Sequence, residues 1–218
     1  MPISTIDQKG LNAPLSLTSP VLTTPNLGTP SALVLTNATG TPSAINLSNA
    51  TALPKAALPT GSVLQVVQSI KTDAQVFNAG SADQTTFYEI GDLTLSITPR
   101  SASSKILLIA QMSVGQYGDG YNISLSLVRN GTTRIGNGTG GAASYGTGVS
   151  WRAFSNNDIS SVPLVFQDSP ASASTLSYGV WVNNNGGSSY PAYINRNAAN
   201  GGWFGNTAST LIAMEIAG

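Results

Sequence analysis

The residues able to do chemistry are few, and they are of one kind. The chain contains no histidine and no cysteine, which removes Ser-His and Cys-His nucleophile pairs, thiolate chemistry, disulfides and the usual zinc ligands. What remains is a set of tyrosines and a tryptophan in Gly/Asn-rich stretches: Tyr117-Gly-Asp-Gly-Tyr121 followed by Asn122, Tyr145 within 136–148, Tyr190 and Tyr193 within 183–193, and Trp203 in Asn200-Gly-Gly-Trp-Phe-Gly205. A sugar presents apolar C–H faces and a rim of hydroxyls. A neutral site for it stacks an aromatic ring on the face and meets the hydroxyls with Asn, Ser, backbone and carboxylate groups. Tyr117, Asp119, Tyr121, Asn122, Tyr145, Tyr190, Tyr193 and Trp203 are therefore the candidate binding residues, with Asp119 as the carboxylate. The competing reading of each aromatic is a cap on the fold or a subunit contact, and Trp151 and Trp181, inside strand-like segments, are expected in a core or an interface.

Other chemistry is poorly supplied. Glycoside hydrolysis needs two carboxyl groups roughly 5–9.5 Å apart, and Asp119, Asp158 and Asp168 form no recognisable pair. Lys105 follows Ser103-Ser104, but a lysine at the mouth of a strand reads as a solvated edge charge. Glu89 and Asp92 flank Gly91 in a turn-like pattern that suits local hydrogen bonding. Hard oxygen ligands for a cation could come from Asp119 and Asn156-Asn157-Asp158, without any recognised spacing. The expectation is no enzyme activity, no cofactor and no metal.

The elements that must hold the aromatic loops are strands. Val63–Ile70, Leu93–Ile97, Lys105–Val114, Ile123–Val128, Val149–Phe154, Val162–Phe166, Leu176–Val182 and Ser209–Ile216 read as β, and Asn130-Gly131 is a strong hairpin signal. The run from Lys105 is apolar on both faces in its first half, as for a central strand or one covered by another subunit. No segment carries a sustained helical period. An antiparallel β-sandwich or jelly-roll head over 61–218 is expected.

Before that head the texture differs. Eight of the 12 prolines fall in the first sixty residues, with no aromatic and only Asp7, Lys9 and Lys55 as charges. Two twelve-residue units follow one another: Thr29-Pro-Ser-Ala-Leu-Val-Leu-Thr-Asn-Ala-Thr-Gly40 and Thr41-Pro-Ser-Ala-Ile-Asn-Leu-Ser-Asn-Ala-Thr-Ala52. Each reads as a short strand presenting Leu33 and Leu35, or Ile45 and Leu47, to one side. Two units cannot bury those side chains alone, so the same segment of symmetry-related copies is expected to cover them.

Overall charge narrows the partners. Lys+Arg and Asp+Glu number nine each, and charged residues make up 8% of the chain. No basic surplus is available for phosphates or an anionic bilayer, so neither nucleic acid nor membrane is an expected partner. The first residues lack the basic and apolar regions of a secretory signal, and no apolar run is long enough for a transmembrane helix.

The Thr-Pro-Ser-Ala units, the passage Thr86-Phe-Tyr-Glu-Ile-Gly-Asp-Leu-Thr-Leu-Ser-Ile-Thr-Pro-Arg-Ser-Ala-Ser-Ser-Lys-Ile-Leu108 and the closing Leu211-Ile-Ala-Met-Glu-Ile216 together resemble bacteriophage fibre proteins, in particular cyanophage-like fibres and adhesins. The resemblance implies a homotrimer on the virion surface: a virion-attachment segment over 1–28 that binds another virion protein of tail or capsid, an intertwined repeat shaft over 29–60 with Leu33, Leu35, Ile45 and Leu47 at its axis, and the head over 61–218, which meets a host surface polysaccharide. A capsid decoration, cement or head-fibre protein anchored by its N-terminal arm is the alternative it leaves open.

Overall fold

The computed structural model describes residues 58–78, 86–117, 121–136, 149–152, 154–200 and 207–218. The chain divides into two units, Met1–Ala50 and Thr51–Gly218. The first, with the repeats and their Leu33, Leu35, Ile45 and Leu47, lies outside the described residues.

The described residues of the second unit form eleven strands: β1 (Val63–Lys71), β2 (Gln75–Phe77), β3 (Tyr88–Ile97), β4 (Lys105–Gln116), β5 (Ile123–Arg129), β6 (Thr133–Ile135), β7 (Val149–Trp151), β8 (Ile159–Asp168), β9 (Leu176–Asn184), β10 (Ala192–Ile194) and β11 (Ser209–Ile216). All pairings are antiparallel and fall into two sheets. The expected all-β antiparallel sandwich is what the described residues form.

Sheet A is built around β4. One edge of β4 pairs β8 through Ile106–Gly115; the other pairs β11 through Lys105–Gln111 and then β10 through Val114–Gln116. β1 lies beyond β11, and β2 beyond β10. Sheet B is β3-β9-β5, with β6 and β7 on the far edge of β5.

Alternation explains how the sheets face each other. Ile106, Leu108, Ala110 and Met112 of β4 are wholly buried, as are Leu125 of β5, Tyr178, Val180 and Val182 of β9, and Ile90 and Leu93 of β3. Each fully buried aliphatic side chain stabilises by about 1.5–3 kcal/mol. β3 changes phase midway: Ile90 points in before Gly91-Asp92, and Leu93, Leu95 and Ile97 point in after it. Asp92 has φ of 61° and the pairing register with β9 shifts there. Gly91-Asp92 is thus a bulge inside one strand rather than a turn between two. It is pinned to sheet A, where Gly91 N–H donates to Gln75 Oε1 at 3.0 Å and the Ser69 hydroxyl donates to the Asp92 carbonyl.

The hairpin at Asn130-Gly131 forms as expected, with φ of 52° and 67° joining β5 to β6. Three short strands escape the sequence reading: β2, β6 and β10, each of three residues. Three residues carry no measurable period; β10 and β6 are placed by the long β4 and β5 beside them, and β2 by β10 in turn.

The outer face of sheet A is a second consequence of alternation. Leu107 and Ile109 of β4, Ile212, Met214 and Ile216 of β11, Val66 and Ile70 of β1, and Pro163 and Val165 of β8 all point away from sheet B. Val66, Ile70 and Val165 are 56%, 54% and 63% exposed. The polar groups among them are uncharged, with Gln68 Nε2 donating to Thr210 Oγ1 at 3.0 Å and Gln111 to Ser161 Oγ. Among the described residues the charges on this face lie at its ends, Lys105 at one and Arg196, over the Tyr193 ring, at the other.

Candidate functional site

β4 runs for twelve residues, so its two ends lie roughly 35 Å apart at about 3.3 Å per residue. At the Lys105 end the described chain both starts and stops. Gly61 N–H donates to the Ala217 carbonyl and Ala217 N–H to the Ser62 carbonyl, each at 2.8 Å, and the Ser103 hydroxyl donates to the Gly218 carbonyl. A cavity of about 250 Å³ between Leu58, Leu64, Ser104 and Gly218 sits here; it holds no aromatic or charged side chain.

The Gln116 end is where the candidate tyrosines gather. Tyr117 follows β4, Tyr121 and Asn122 lead into β5, and Tyr190 leads into β10. Tyr117 N–H donates to the Pro191 carbonyl at 3.1 Å and Asn185 N–H to the Asn122 carbonyl at 3.2 Å, which ties the three connections together. The rings of Tyr121 and Tyr190 meet with centroids 4.5 Å apart and planes inclined by 38°, an offset contact of the favourable kind. Tyr117 and Tyr121 are 46% and 39% exposed, and Tyr190 is half-buried.

One glycine makes that ring contact possible. A Cβ at Gly186 would fall 2.5 Å from Tyr190 Cβ and 3.2 Å from Tyr121 Cβ. Asn184 fixes this turn: its Nδ2 donates to the carbonyls of Phe77 and Gly187, and its Oδ1 accepts from Gly186 N–H. Beside it, Gln116 is wholly buried with neither amide atom hydrogen-bonded, and Asn185 Oδ1 is likewise buried and unpaired. Such groups cost roughly 1–3 kcal/mol each and are uncommon in a fold selected for stability alone.

Tyr193 does not join this cluster. It lies in β10, only 8% exposed, paired on both sides by β2 and β4, with the Arg196 guanidinium 4.4 Å above its ring. The loop reading of 183–193 placed it at the surface because β10 is too short to show a period. Asp119, Tyr145 and Trp203 lie outside the described residues.

The sequence reading also passed over the outer face of sheet B. Ser177, Gly179 and Trp181 alternate with the buried Tyr178, Val180 and Val182, so Trp181 faces outward rather than into the core. It stands opposite Glu89 of β3 and Ser126 of β5. Two adjoining hollows of about 280 and 200 Å³ share Val128, Gly131 and Trp181. Trp151, by contrast, packs against the core as expected.

Charged groups elsewhere are structural. Asp168 Oδ2 in β8 accepts from Arg129 Nη1 at 2.6 Å and from the Tyr178 hydroxyl at 2.7 Å, joining sheet A to sheet B. Burial first, and then the bond to Asp168, raise the Tyr178 phenol above its usual range. Asp158 accepts from the backbone N–H groups of Phe154 and Ser155, at 2.7 and 2.8 Å, and these hold its carboxyl below the usual value. The side-chain bond from Lys71 does the same for Asp73. Among the described residues no group of three or more acidic side chains could hold a metal ion.

Comparison with family models gives no match, and no curated protein matches. Among solved structures, a chain from the structure of infectious bursal disease virus Gt strain is similar over 73% of this chain, at 9% identity and a TM-score of 0.35. This chain spans 39% of that one. A likeness so distant carries no argument about family, activity or partners.

Proposed function

We propose that the protein is a virion structural protein: the subunit of a homotrimeric phage tail fibre whose head binds a glycan on the host surface. In this reading residues 1–28 attach to another virion protein, 29–60 wind into the shaft, and the sandwich is carried at the shaft's end. It acts by adhesion and not by catalysis. Weak sites presented in triplicate on several fibres reach useful avidity without strong single contacts.

The observation that carries the reading is the gathering of Tyr117, Tyr121 and Tyr190 at the Gln116 end of β4, with the rings of Tyr121 and Tyr190 in contact. The unpaired buried amide of Gln116 and the unpaired Oδ1 of Asn185 at that end support a surface kept for binding. The uncharged apolar face of sheet A supports association of copies, since a surface roughly 20 Å by 35 Å at ordinary strand spacing approaches the ~800 Å² per partner of stable interfaces.

Fluorescently labelled full-length protein should bind host cells, and Tyr121→Ala with Tyr190→Ala should reduce binding at least tenfold. Gly186→Ala, which keeps both rings but forces them apart, should reduce it as well. Binding unchanged in these variants, or no binding to any host cell, would overturn the assignment of this end.

A further inference from the structure

We propose a second saccharide site on the flank of the sandwich, in the groove that Trp181 floors on the outer face of sheet B. It would take one pyranose ring of a hydroxyl-rich, uncharged polysaccharide. This site goes beyond the tyrosine end and does not depend on it.

The platform comes from strand geometry. On β9 the side chains of Ser177, Gly179 and Trp181 share one face. A Cβ at Gly179 would lie 3.5 Å from Trp181 Nε1 and 3.0 Å from Thr94 Oγ1. The indole therefore leans along the sheet over the bare glycine, where any larger side chain would prop it up. An indole laid along a sheet offers a flat, half-buried surface of the kind that sugar C–H groups stack upon.

Hydroxyl partners stand around the indole on three strands. Glu89, exposed and directly opposite Trp181 on β3, holds its carboxylate by accepting from Thr94 Oγ1 at 2.5 Å. Carboxylates are good acceptors for paired sugar hydroxyls. At the hairpin Asn130 Oδ1 accepts from Ser177 N–H at 3.0 Å, which orients the amide and directs its NH₂ group elsewhere. On the far side Arg134 spreads over the Phe87 ring, 4.7 Å from its centroid, closing the groove with donors. The two hollows, about 280 and 200 Å³, meet at Trp181 and together reach the range typical of small-ligand sites.

The groove is also placed where a ligand can reach it. It faces away from the apolar side of sheet A, so association of copies through sheet A leaves it open. Among the described residues Glu89 is the sole carboxylate lining these hollows, and glycoside hydrolysis takes two carboxyl groups, so the proposed site binds and does not cleave.

The test titrates the full-length protein with methyl glucoside, methyl galactoside and methyl mannoside, reading saturation transfer from protein to sugar C–H protons. At least one glycoside should bind in the millimolar range. Trp181→Ala should weaken that binding tenfold or more, Glu89→Gln should weaken it severalfold, and Trp181→Phe, which retains a ring, should fall between wild type and Trp181→Ala. Circular dichroism of each variant checks the fold, and Glu89→Gln, on an exposed side chain, keeps the test decisive should Trp181→Ala unfold. Binding to none of the three glycosides, or binding indifferent to Trp181 and Glu89, overturns the proposal. Binding lost in Tyr121→Ala and kept in Trp181→Ala overturns it while leaving the tyrosine end standing; the reverse pattern supports the groove and leaves the tyrosine end to the cell-binding test.

Discussion

Replacing Asp168 by Asn tests whether the two sheets are locked together by one carboxylate. The substitution keeps the side chain's shape and removes its charge, leaving the Arg129 guanidinium without a counter-ion and weakening the bond from the Tyr178 hydroxyl. The side chains of Arg129 and Asp168 are 22% and 9% exposed, so the pair is mostly sheltered from solvent screening. Breaking a fully buried pair costs about 3–5 kcal/mol, and the residual exposure of Arg129 places this one near the lower limit, about 3 kcal/mol. A domain of 150–250 residues loses roughly 2–4 °C of melting temperature per kcal/mol, hence about 6–12 °C here. Thermal unfolding of the full chain followed by tryptophan fluorescence reads the shift. The triple variant Asp168→Leu, Arg129→Met and Tyr178→Phe should recover most of it, because three apolar groups leave neither an orphaned charge nor an unpaired buried hydroxyl. A Tm for Asp168→Asn within about 2 °C of wild type would refute the idea that this carboxylate locks the sheets.

Ile109→Lys, at the centre of the apolar face of sheet A, should lower the oligomer mass in sedimentation without altering the β-rich circular dichroism; an unchanged mass would free that face from any part in assembly. Stability should vary little between pH 5 and 9, since the chain has no histidine. The raised Tyr178 phenol contributes stability that is complete below its unfolded value of 10.0 and is lost as pH climbs past it, so denaturant melts should weaken above pH 10. The lowered carboxyls of Asp73 and Asp158 act in the other direction, contributing above their unfolded value of 3.8 and losing that contribution as pH falls below it. A stability change centred near pH 6.5 would contradict this assignment.

Much of the sandwich was legible in the sequence because its long strands carry a period. Lys105–Val114 and Ser209–Ile216 read as strands, and their pairing through Lys105–Gln111 is the centre of sheet A. The doubly apolar start of β4 pointed to a covered face, and Leu107 and Ile109 are the side chains that make sheet A apolar on its outside. β2, β6 and β10 were not legible, since three-residue strands are stabilised by neighbours and not by their own pattern. That omission put Tyr193 in a loop.

The candidate site divides along the same line. Tyr117, Tyr121 and Tyr190 could be picked by residue type, yet their meeting depends on Gly186 and on the Asn184 side chain, which are indistinguishable from other Gly and Asn in this composition. Trp181 was readable in principle. Once Leu176, Tyr178, Val180 and Val182 are assigned inward, Ser177, Gly179 and Trp181 must face out, and an exposed tryptophan beside a glycine is the signal that was passed over. Glu89 was read as a turn acid because a bulge and a turn look alike when a glycine precedes an aspartate.

The central claim is that this chain works as a trimer, and the mass of the purified full-length particle tests it most directly. Native mass spectrometry at micromolar concentration should give three times the 22.3 kDa of a single chain. A well-folded species of one chain mass at that concentration would contradict the account.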